Sequence, residues 1–490
     1  MNGSIIRYIL GQVLKIEGML MALPCVTALL YQEKQGFAFL AVACVCLILG
    51  LLMSWRKPTD NVFYLKEGCV ATALCWIVLS IFGALPFMLT GEIPSFTDAV
   101  FETVSGFTTT GSSILTDVEA LCHTSLIWRS FTHWVGGMGV LVFLLAIVPM
   151  NGGSHMNLMK AESPGPSVGK LVPKVKSTAQ ILYVIYFAMT VVQIILLLLG
   201  GMNLFEAICT AFGTAGTGGF GVRGDSIAGY SPYIQWVVTV FMLLFGVNFN
   251  AYYYIVFGKV RKALAMEEVR WYFIIVLVAA VFITINIMPL YNDMFETVTH
   301  AFFQVGTIIT TTGFATTDFN LWPAASKTIL VLLMFLGACA GSTGGGFKVS
   351  RVLILSKTLG KEIHSYLHPK SVRKVKFEGS PVEHEVLRSI NVYLVTYIIL
   401  FIASVFLVSL ENYDLISTFT AVAATFNNIG PGLELVGPVA NFAFFNDFTK
   451  WVLIFDMLAG RLELFPMLML FHPTLWRDMY VRYRAGKGKK

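Results

Sequence analysis

Long apolar runs with few charges, separated by short polar connections, recur along almost the whole chain. A membrane-crossing helix needs roughly 20 mostly apolar residues, and ten stretches meet that requirement. They lie at about 5–30, 37–54, 68–90, 124–149, 178–200, 232–258, 271–290, 325–354, 388–410 and 449–471. The pattern therefore predicts an all-α polytopic membrane protein with about ten transmembrane helices.

Composition points to the same class of protein. Hydrophobic residues make up 56% of the 490 residues and charged residues 13%, whereas soluble domains carry about 25% charged residues. The eight cysteines follow no disulfide or metal spacing. Because HExxH, GxSxG and phosphate-loop motifs are also missing, we expect neither an enzyme nor an organic cofactor.

The distribution of positive charge orients the spans. If the N-terminus is cytoplasmic and the spans alternate, the inner connections carry 26 of the 34 lysines and arginines and the outer connections carry five. Cytoplasmic loops are enriched in these residues, so both termini are predicted to be cytoplasmic. We expect a bacterial inner membrane, and the net charge of +6 is too small to indicate nucleic acid.

After the first two spans, one unit occurs four times. Each copy reads span, short apolar stretch, small-polar run with a glycine, and span. The glycines are Gly111, Gly218, Gly313 and Gly430, which are 107, 95 and 117 residues apart. The predicted units are an N-terminal pair at 1–60 and repeats at 61–155, 156–262, 263–385 and 386–490.

The four glycine runs all fall on the outer side, so they can converge on one pseudo-fourfold axis. Non-helical backbone at membrane depth is tolerated only where it is buried or lines a water-filled path. Carbonyl oxygens on such a ring can replace the hydration shell of an ion, and glycine permits the backbone angles that aim them inward. The predicted cation filter consists of Thr109, Thr110, Gly111, Thr217, Gly218, Thr311, Thr312, Gly313, Asn428, Ile429 and Gly430.

Acidic residues accompany the short apolar stretches that precede these runs. They are Asp98, Glu102, Glu206, Asp293, Glu296 and Asp414. If the stretches are helices that enter from outside, their C-termini point at the axis, where the helix dipole favours a cation. We expect the acids to lie near the outer ends, to complement the dipoles and to attract cations to the mouth.

The eighth span contains five glycines within ten residues. Each glycine costs about 1 kcal/mol in a helix interior, so we expect the helix to break near mid-membrane and to line the path below the filter. The predicted gate residues are Gly341, Ser342, Thr343, Gly344, Gly345 and Gly346. Close packing of helices through small residues is the alternative. Lys348 is expected to mark the inner membrane surface.

Arg461 lies inside the last span, where a charged side chain is costly and usually faces a path or a partner. One interpretation is a positive charge below the filter that raises the barrier to cations and takes part in gating. The other is a structural ion pair with Asp456 or Glu463. The two are compatible, and the sequence leaves both open.

The residues described above resemble the Trk/Ktr/HKT superfamily of potassium transporters, and most closely its bacterial Trk-type membrane subunits. The similarity covers nearly the whole chain. It includes the four glycine runs and the stretches Trp134–Gly139, Ala161–Pro166, Gly337–Gly346 and Gly460–Glu463.

The resemblance implies potassium uptake through one pseudo-fourfold pore with a gating loop in the eighth span. It also implies a homodimer with two separate pores and a cytosolic nucleotide-binding partner of the TrkA/KtrA type. A glycine in all four filter loops favours K⁺, and Gly111 stands where sodium-passing relatives tend to have serine. The basic loop 356–385 and the tail Arg477–Lys490 suit anionic lipid headgroups and the docking of such a partner.

The fourth run reads Asn-Asn-Ile-Gly-Pro where the first and third have Thr-Thr-Thr-Gly. A Na⁺ or mixed Na⁺/K⁺ pathway of the same fold, or cation symport with H⁺, therefore stays open. A secondary transporter with discontinuous helices is another alternative, but such folds usually show inverted repeats, whereas these four repeats are parallel.

Overall fold

The computed structural model describes residues 2–58, 64–139, 175–475 and 477. The second half of the predicted span 124–149, the stretch Ala161–Pro166 and nearly all of the basic tail lie outside the described residues. Within them, six helices are long and apolar enough to cross a membrane, or seven if one sharply bent pair counts as a span. Each of the ten predicted spans contains a helix, and the prediction of an all-α polytopic protein is confirmed.

The helices can be grouped by the units predicted from the sequence, an N-terminal pair of spans and four repeats. The first span of the pair contains α1 (Gly3–Leu20) and α2 (Ala22–Tyr31), and the second is α3 (Gly36–Ser54). Repeat one comprises α4 (Leu65–Thr90), α5 (Phe96–Phe107) and α6 (His123–Gly137). Repeat two comprises α7 (Val175–Leu199), α8 (Leu204–Gly216), α9 (Pro232–Phe245) and α10 (Phe249–Val256), followed by α11 (Val260–Ala265).

Repeats three and four have the same plan. Repeat three comprises α12 (Glu267–Ile287), α13 (Met294–Ile309), α14 (Ala324–Leu336) and α15 (Val349–Leu367). Repeat four comprises α16 (His384–Ser409), α17 (Leu415–Phe426), α18 (Asp447–Arg461) and α19 (Phe465–Leu470). Three 3₁₀ turns (Met288–Leu290, Phe319–Leu321 and Glu434–Val436) and an antiparallel hairpin, β1 (Lys376–Phe377) with β2 (Ser380–Pro381), complete the list.

The second spans of repeats two, three and four are broken. The span predicted as continuous over 232–258 bends by 92° between α9 and α10, where the Asn248 side chain accepts the backbone N–H of Asn250 and begins a new helix. The glycine-rich segment separates α14 from α15, as predicted. The last span ends at Arg461 and resumes at Phe465 after two residues with positive φ.

The four short helices α5, α8, α13 and α17 close the repeats into a ring. Each packs against both long helices of its own repeat and against the second span of the preceding repeat. Thus α8 contacts α6, α13 contacts α9 and α17 contacts α14, while α5 contacts α18 and joins the first repeat to the last.

The short helices of the ring and the surface away from the ring differ in chemistry. Side-chain caps begin each short helix, because Ser95, Asn203, Asp293 and Asp414 each accept a backbone N–H from the first turn. Away from the ring, the long helices expose large apolar side chains, such as Leu52, Val278 and Ile402. Exposed apolar faces on long helices are what a lipid-facing surface requires.

Candidate functional site: a ring of four loops and the segment beneath it

The four loops that follow the short helices share one backbone conformation. Each has a left-handed residue followed two positions later by a left-handed glycine. The pairs are Thr109 (φ 54°) and Gly111 (85°), Thr217 (54°) and Gly219 (78°), Thr311 (58°) and Gly313 (90°), and Asn428 (56°) and Gly430 (101°). Glycine adopts these angles without steric cost, which explains its position at the second point of every loop.

Backbone hydrogen bonds give the same register. The N–H groups of Thr110, Gly218, Thr312 and Ile429 donate to carbonyls five residues earlier, over 2.8, 2.9, 2.8 and 2.8 Å. The structural counterpart of Gly111 in loop two is therefore Gly219, whereas the sequence repeat pairs it with Gly218. The Gly-Gly pair left this alignment ambiguous, and Gly219 was missed for that reason.

The loops touch one another in a closed cycle. A methyl group on Gly111, Gly219 or Gly313 would overlap a carbonyl oxygen of the next loop, and on Gly430 it would lie 2.9 Å from the carbonyl oxygen of Thr110. Loop four therefore abuts loop one. The carbonyls that face these glycines in the first three loops belong to Gly218, Thr312 and Ile429. The predicted filter residues are brought together, and all of them except half-buried Gly111 and Gly313 are buried.

The backbone conformation of the ring repeats four times, whereas its pairs of threonine hydroxyls occur only in loops one and three. In loop one the hydroxyls of Thr108 and Thr110 are 2.8 Å apart, and in loop three the equivalent pair is 2.7 Å apart. Loops two and four lack this pair. In loop four, Asn428 instead donates to the Thr110 hydroxyl over 2.9 Å and to the Met457 carbonyl over 2.9 Å.

The glycine-rich segment 337–348 lies directly beneath loops three and four. The backbone N–H of Gly345 donates to the Thr311 hydroxyl over 2.6 Å. A methyl group on Gly344 would lie 2.9 Å from the Thr310 carbonyl oxygen, and one on Gly345 would lie 2.5 Å from that of Asn427. The six predicted gate residues all fall in this non-helical segment, which we call the gate loop.

Backbone bonds tie the gate loop to the bend between α9 and α10. The Gly341 carbonyl accepts the N–H of Phe249 over 3.0 Å, and the Gly246 carbonyl accepts the N–H of Cys339 over 3.1 Å. The Thr343 hydroxyl donates to the Phe245 carbonyl over 3.2 Å. Each break in a helix therefore supplies partners for the free backbone groups of the other.

Glu268, in the first turn of α12, clamps the gate loop and was not singled out from the sequence. One carboxylate oxygen accepts the N–H of Ala340 over 2.7 Å and that of Ser350 over 3.1 Å, and the other accepts from the Asn248 side chain over 3.2 Å. Glu268 is 2% exposed. At the edge of a predicted span, an acid is more often a solvated interface residue, so the sequence carried no signal for this role.

Arg461 joins the gate loop to the end of α6. Its guanidinium donates to the Thr343 carbonyl over 2.8 Å and to the carbonyls of Gly136 and Gly137 over 2.6 and 2.9 Å. The last two belong to the C-terminal turn of α6, where a cation complements the helix dipole. The two acids proposed as ion-pair partners bond elsewhere: Asp456 accepts from Ser404 and Glu463 pairs with Arg351.

Lys348 does not mark the membrane surface. It is 2% exposed, and its ammonium donates to the Gly344 carbonyl within the gate loop. A buried amine beside free carbonyls finds the partners that it would otherwise take from water. The expectation from its place after the glycine run was therefore wrong.

Glu102 differs from the other acids of the short helices. It is 1% exposed and pairs with Arg129 of α6, Nε to Oε1, over 2.5 Å. It also accepts from Ser113 and from the backbone of Ile114, just beyond loop one. It therefore braces the loop rather than facing the mouth, and Arg129, counted as an outer charge, is buried as well.

The remaining acids lie at the N-terminal ends of the four short helices. Asp98 pairs with Lys450 over 2.6 Å and Glu206 pairs with Arg223 over 3.1 Å. Glu296 lies in the first turn of α13, which Asp293 caps. Hydrogen bonds from Ser417, first through its hydroxyl and then through its backbone N–H, lower the pKa of the Asp414 carboxyl.

Among the described residues, no group of three or more His, Cys, Asp or Glu side chains could hold a metal ion. The four loops offer backbone carbonyl and threonine hydroxyl oxygens, and oxygen ligands of this kind replace water around alkali cations in selectivity filters.

Comparison with known proteins identifies the family. Residues 35–483 match the family model "TrkH: Cation transport protein". The chain is 36% identical over 487 residues to the Trk system potassium uptake protein TrkH of Salmonella typhimurium, with 98% of this chain and 100% of the relative covered. It is 32% identical to the Trk system potassium uptake protein TrkG of Escherichia coli, with 98% and 100% covered.

A solved structure shows the same fold. The crystal structure of the potassium transporter TrkH from Vibrio parahaemolyticus superposes with a TM-score of 0.87 at 32% identity, covering 97% of this chain and 100% of that one. The family predicted from the glycine runs is therefore confirmed, and the relatives are membrane transporters rather than enzymes. The chain belongs to the TrkH family of cation transport proteins.

Proposed function

We propose that this protein takes up potassium through a channel-like pore whose selectivity filter is the ring of four loops. The observation that carries the proposal is the closed cycle in which the left-handed glycine of each loop abuts a carbonyl of the next loop. Such a cycle places carbonyl oxygens from four chain segments around one axis. The relatives named above are potassium uptake proteins, which supports K⁺ as the ion.

The helix arrangement favours a cation within this ring. The C-termini of α5, α8, α13 and α17 immediately precede the four loops, and helix C-termini carry partial negative charge. The capped, acid-bearing N-termini lie at the far ends. We infer that a hydrated cation arrives at the acidic side and loses water where the carbonyls converge.

The gate loop and Arg461 form the proposed closure below the filter. Gly344 and Gly345 contact the inner ends of loops three and four, so an ion that leaves the filter meets them first. The guanidinium that holds the Thr343 carbonyl adds a positive charge at that point. Opening then requires the gate loop to leave these partners.

We further propose the setting predicted from the sequence. The protein lies in a bacterial inner membrane with both termini in the cytoplasm, because the basic connections are inside in that orientation. It acts as a homodimer with one pore per chain, and a cytosolic nucleotide-binding subunit of the TrkA/KtrA type moves the gate. The hairpin 376–381 offers a contact point, since Glu378 accepts the backbone N–H of Glu268 over 3.1 Å.

Ion competition tests the main proposal. Purified protein in liposomes should take up radioactive Rb⁺, and external K⁺ should suppress the signal at far lower concentration than Na⁺. Equal suppression by Na⁺ would reject the potassium assignment in favour of a Na⁺ or mixed pathway, for which the twofold side-chain pattern is the structural argument. Uptake that collapses an imposed proton gradient would instead indicate symport with H⁺.

A further inference from the structure

Loop two lacks a side chain where the other three loops carry one. Thr110, Thr312 and Ile429 occupy the position between the two left-handed residues, and Gly218 occupies it in loop two. Gly218 itself has no positive φ, since the left-handed residues of this loop are Thr217 and Gly219. Backbone conformation therefore does not require glycine at position 218.

The imidazole of His133 fills the space that a side chain at position 218 would need. His133 belongs to α6 of the preceding repeat and is fully buried. A methyl group on Gly218 would overlap three atoms of the ring, Nδ1, Cγ and Cε1. A methyl group on Gly216, the last residue of α8, would likewise overlap the carbonyl group of His133, so the main chain of His133 packs against the start of loop two.

His133 is one part of a brace that runs along α6. Its ring lies 4.2 Å from that of Phe220, the residue after loop two, and the Arg129 guanidinium lies 3.5 Å over the same phenyl ring. Arg129 also donates to the Gly221 carbonyl over 3.0 Å. Two side chains one helical turn apart therefore hold loop two from behind.

We propose that His133 is a specificity-determining residue of the filter, because its imidazole replaces the missing side chain of position 218 and holds the carbonyls of loop two on the ring. The inference rests on the proposed function of the four loops. Two consecutive glycines have great backbone freedom, so this quarter of the ring depends on a neighbour for its position. Selectivity depends on the number and placement of coordinating carbonyls.

Removing and replacing the bulk tests the inference in the Rb⁺ competition assay. His133→Ala should lower the preference for K⁺ over Na⁺ by about tenfold, the equivalent of about 1.4 kcal/mol. Gly218→Val should also lower it, because valine collides with the ring. The double variant His133→Ala/Gly218→Val should recover most of the preference. Valine is used rather than threonine because threonine at this position in loops one and three bonds to the hydroxyl of a threonine two residues earlier. Loop two has Gly216 there, which has no hydroxyl.

A buried truncation on the same helix controls for general loosening. Phe131→Ala removes a ring that packs 5.4 Å from Phe212 of α8 and against Trp128 and Trp134 of its own helix, and it should leave ion preference unchanged. If His133→Ala does not fold, the double variant and His133→Gln, which keeps a planar group, decide the matter, and both are expected to retain preference.

The outcomes separate this inference from the proposed function. A wild-type protein that shows no preference for K⁺ overturns both. A wild-type preference that persists in His133→Ala overturns the role of His133 alone. A double variant with no more preference for K⁺ than Gly218→Val overturns the space-filling argument. Removal of the imidazole should make room for valine at position 218, and in that case it would not have done so.

Discussion

Replacing Arg461 with glutamine should release the gate loop. Within the described part of the chain, the guanidinium donates to three backbone carbonyls, one in the gate loop at Thr343 and two in α6. A hydrogen bond to a charged group contributes about 1.5–3 kcal/mol. If the bond to Thr343 exists only in the closed state, its loss should shift the equilibrium towards opening by about 10- to 150-fold, at about tenfold per 1.4 kcal/mol.

The assay is basal Rb⁺ uptake by liposomes that contain no regulatory partner. Arg461→Gln should raise the initial rate. Arg461→Lys should also raise it, because one ammonium cannot span carbonyls on two segments as a planar guanidinium does, but the rise should be smaller because lysine keeps the positive charge. Arg388→Gln makes the same charge change on an exposed face of α16 and should leave the rate unchanged. A folded Arg461→Gln variant with uptake at or below the wild-type rate would refute the reasoning.

Three further predictions concern the filter, the clamp and the brace. Gly111→Ser should weaken the preference for K⁺ in Rb⁺ competition, because any Cβ there overlaps the Gly218 carbonyl of the neighbouring loop. Glu268→Gln should raise basal uptake, since an amide offers one acceptor oxygen where the carboxylate uses two. A lost bond costs about 1–3 kcal/mol. An unchanged rate would contradict the inference that Glu268 holds the gate loop. Glu102→Gln should lower the thermal unfolding midpoint in detergent by leaving Arg129 buried without its carboxylate, at a cost of about 3–5 kcal/mol, and Glu102→Gln/Arg129→Met should recover part of the loss.

Much of the architecture could be predicted from hydropathy and repetition. Apolar runs report which segments can face lipid, and each of the ten predicted spans contains a helix among the described residues. The glycine run of the eighth span predicted its break correctly, because five glycines remove both side-chain packing and helix propensity at once. The bend at 246–248 was missed, since one glycine and one asparagine inside an apolar run fall within what a continuous helix tolerates.

The errors involve buried charges whose partners the hydropathy pattern does not reveal. Glu102 and Arg129 are 27 residues apart and neutralise each other in the interior, yet each alone is typical of a solvated surface. Lys348 donates to the carbonyl of Gly344, four residues earlier, which is free to accept because the glycine-rich segment is not helical. Hydropathy assigns each residue its own preference, whereas burial of a charge is decided by the pair.

In the proposed pore, the hydrogen bond from Gly345 to the Thr311 hydroxyl couples the filter to the gate loop. A gate loop that moves away takes a donor from loop three, so the filter of the open state differs from that of the closed state. By linkage, whatever binds one filter conformation more tightly must also shift the position of the gate. The permeant ion would then act as an effector of its own pathway. The external ion concentration that fills the filter would also set the fraction of time for which the gate loop is open.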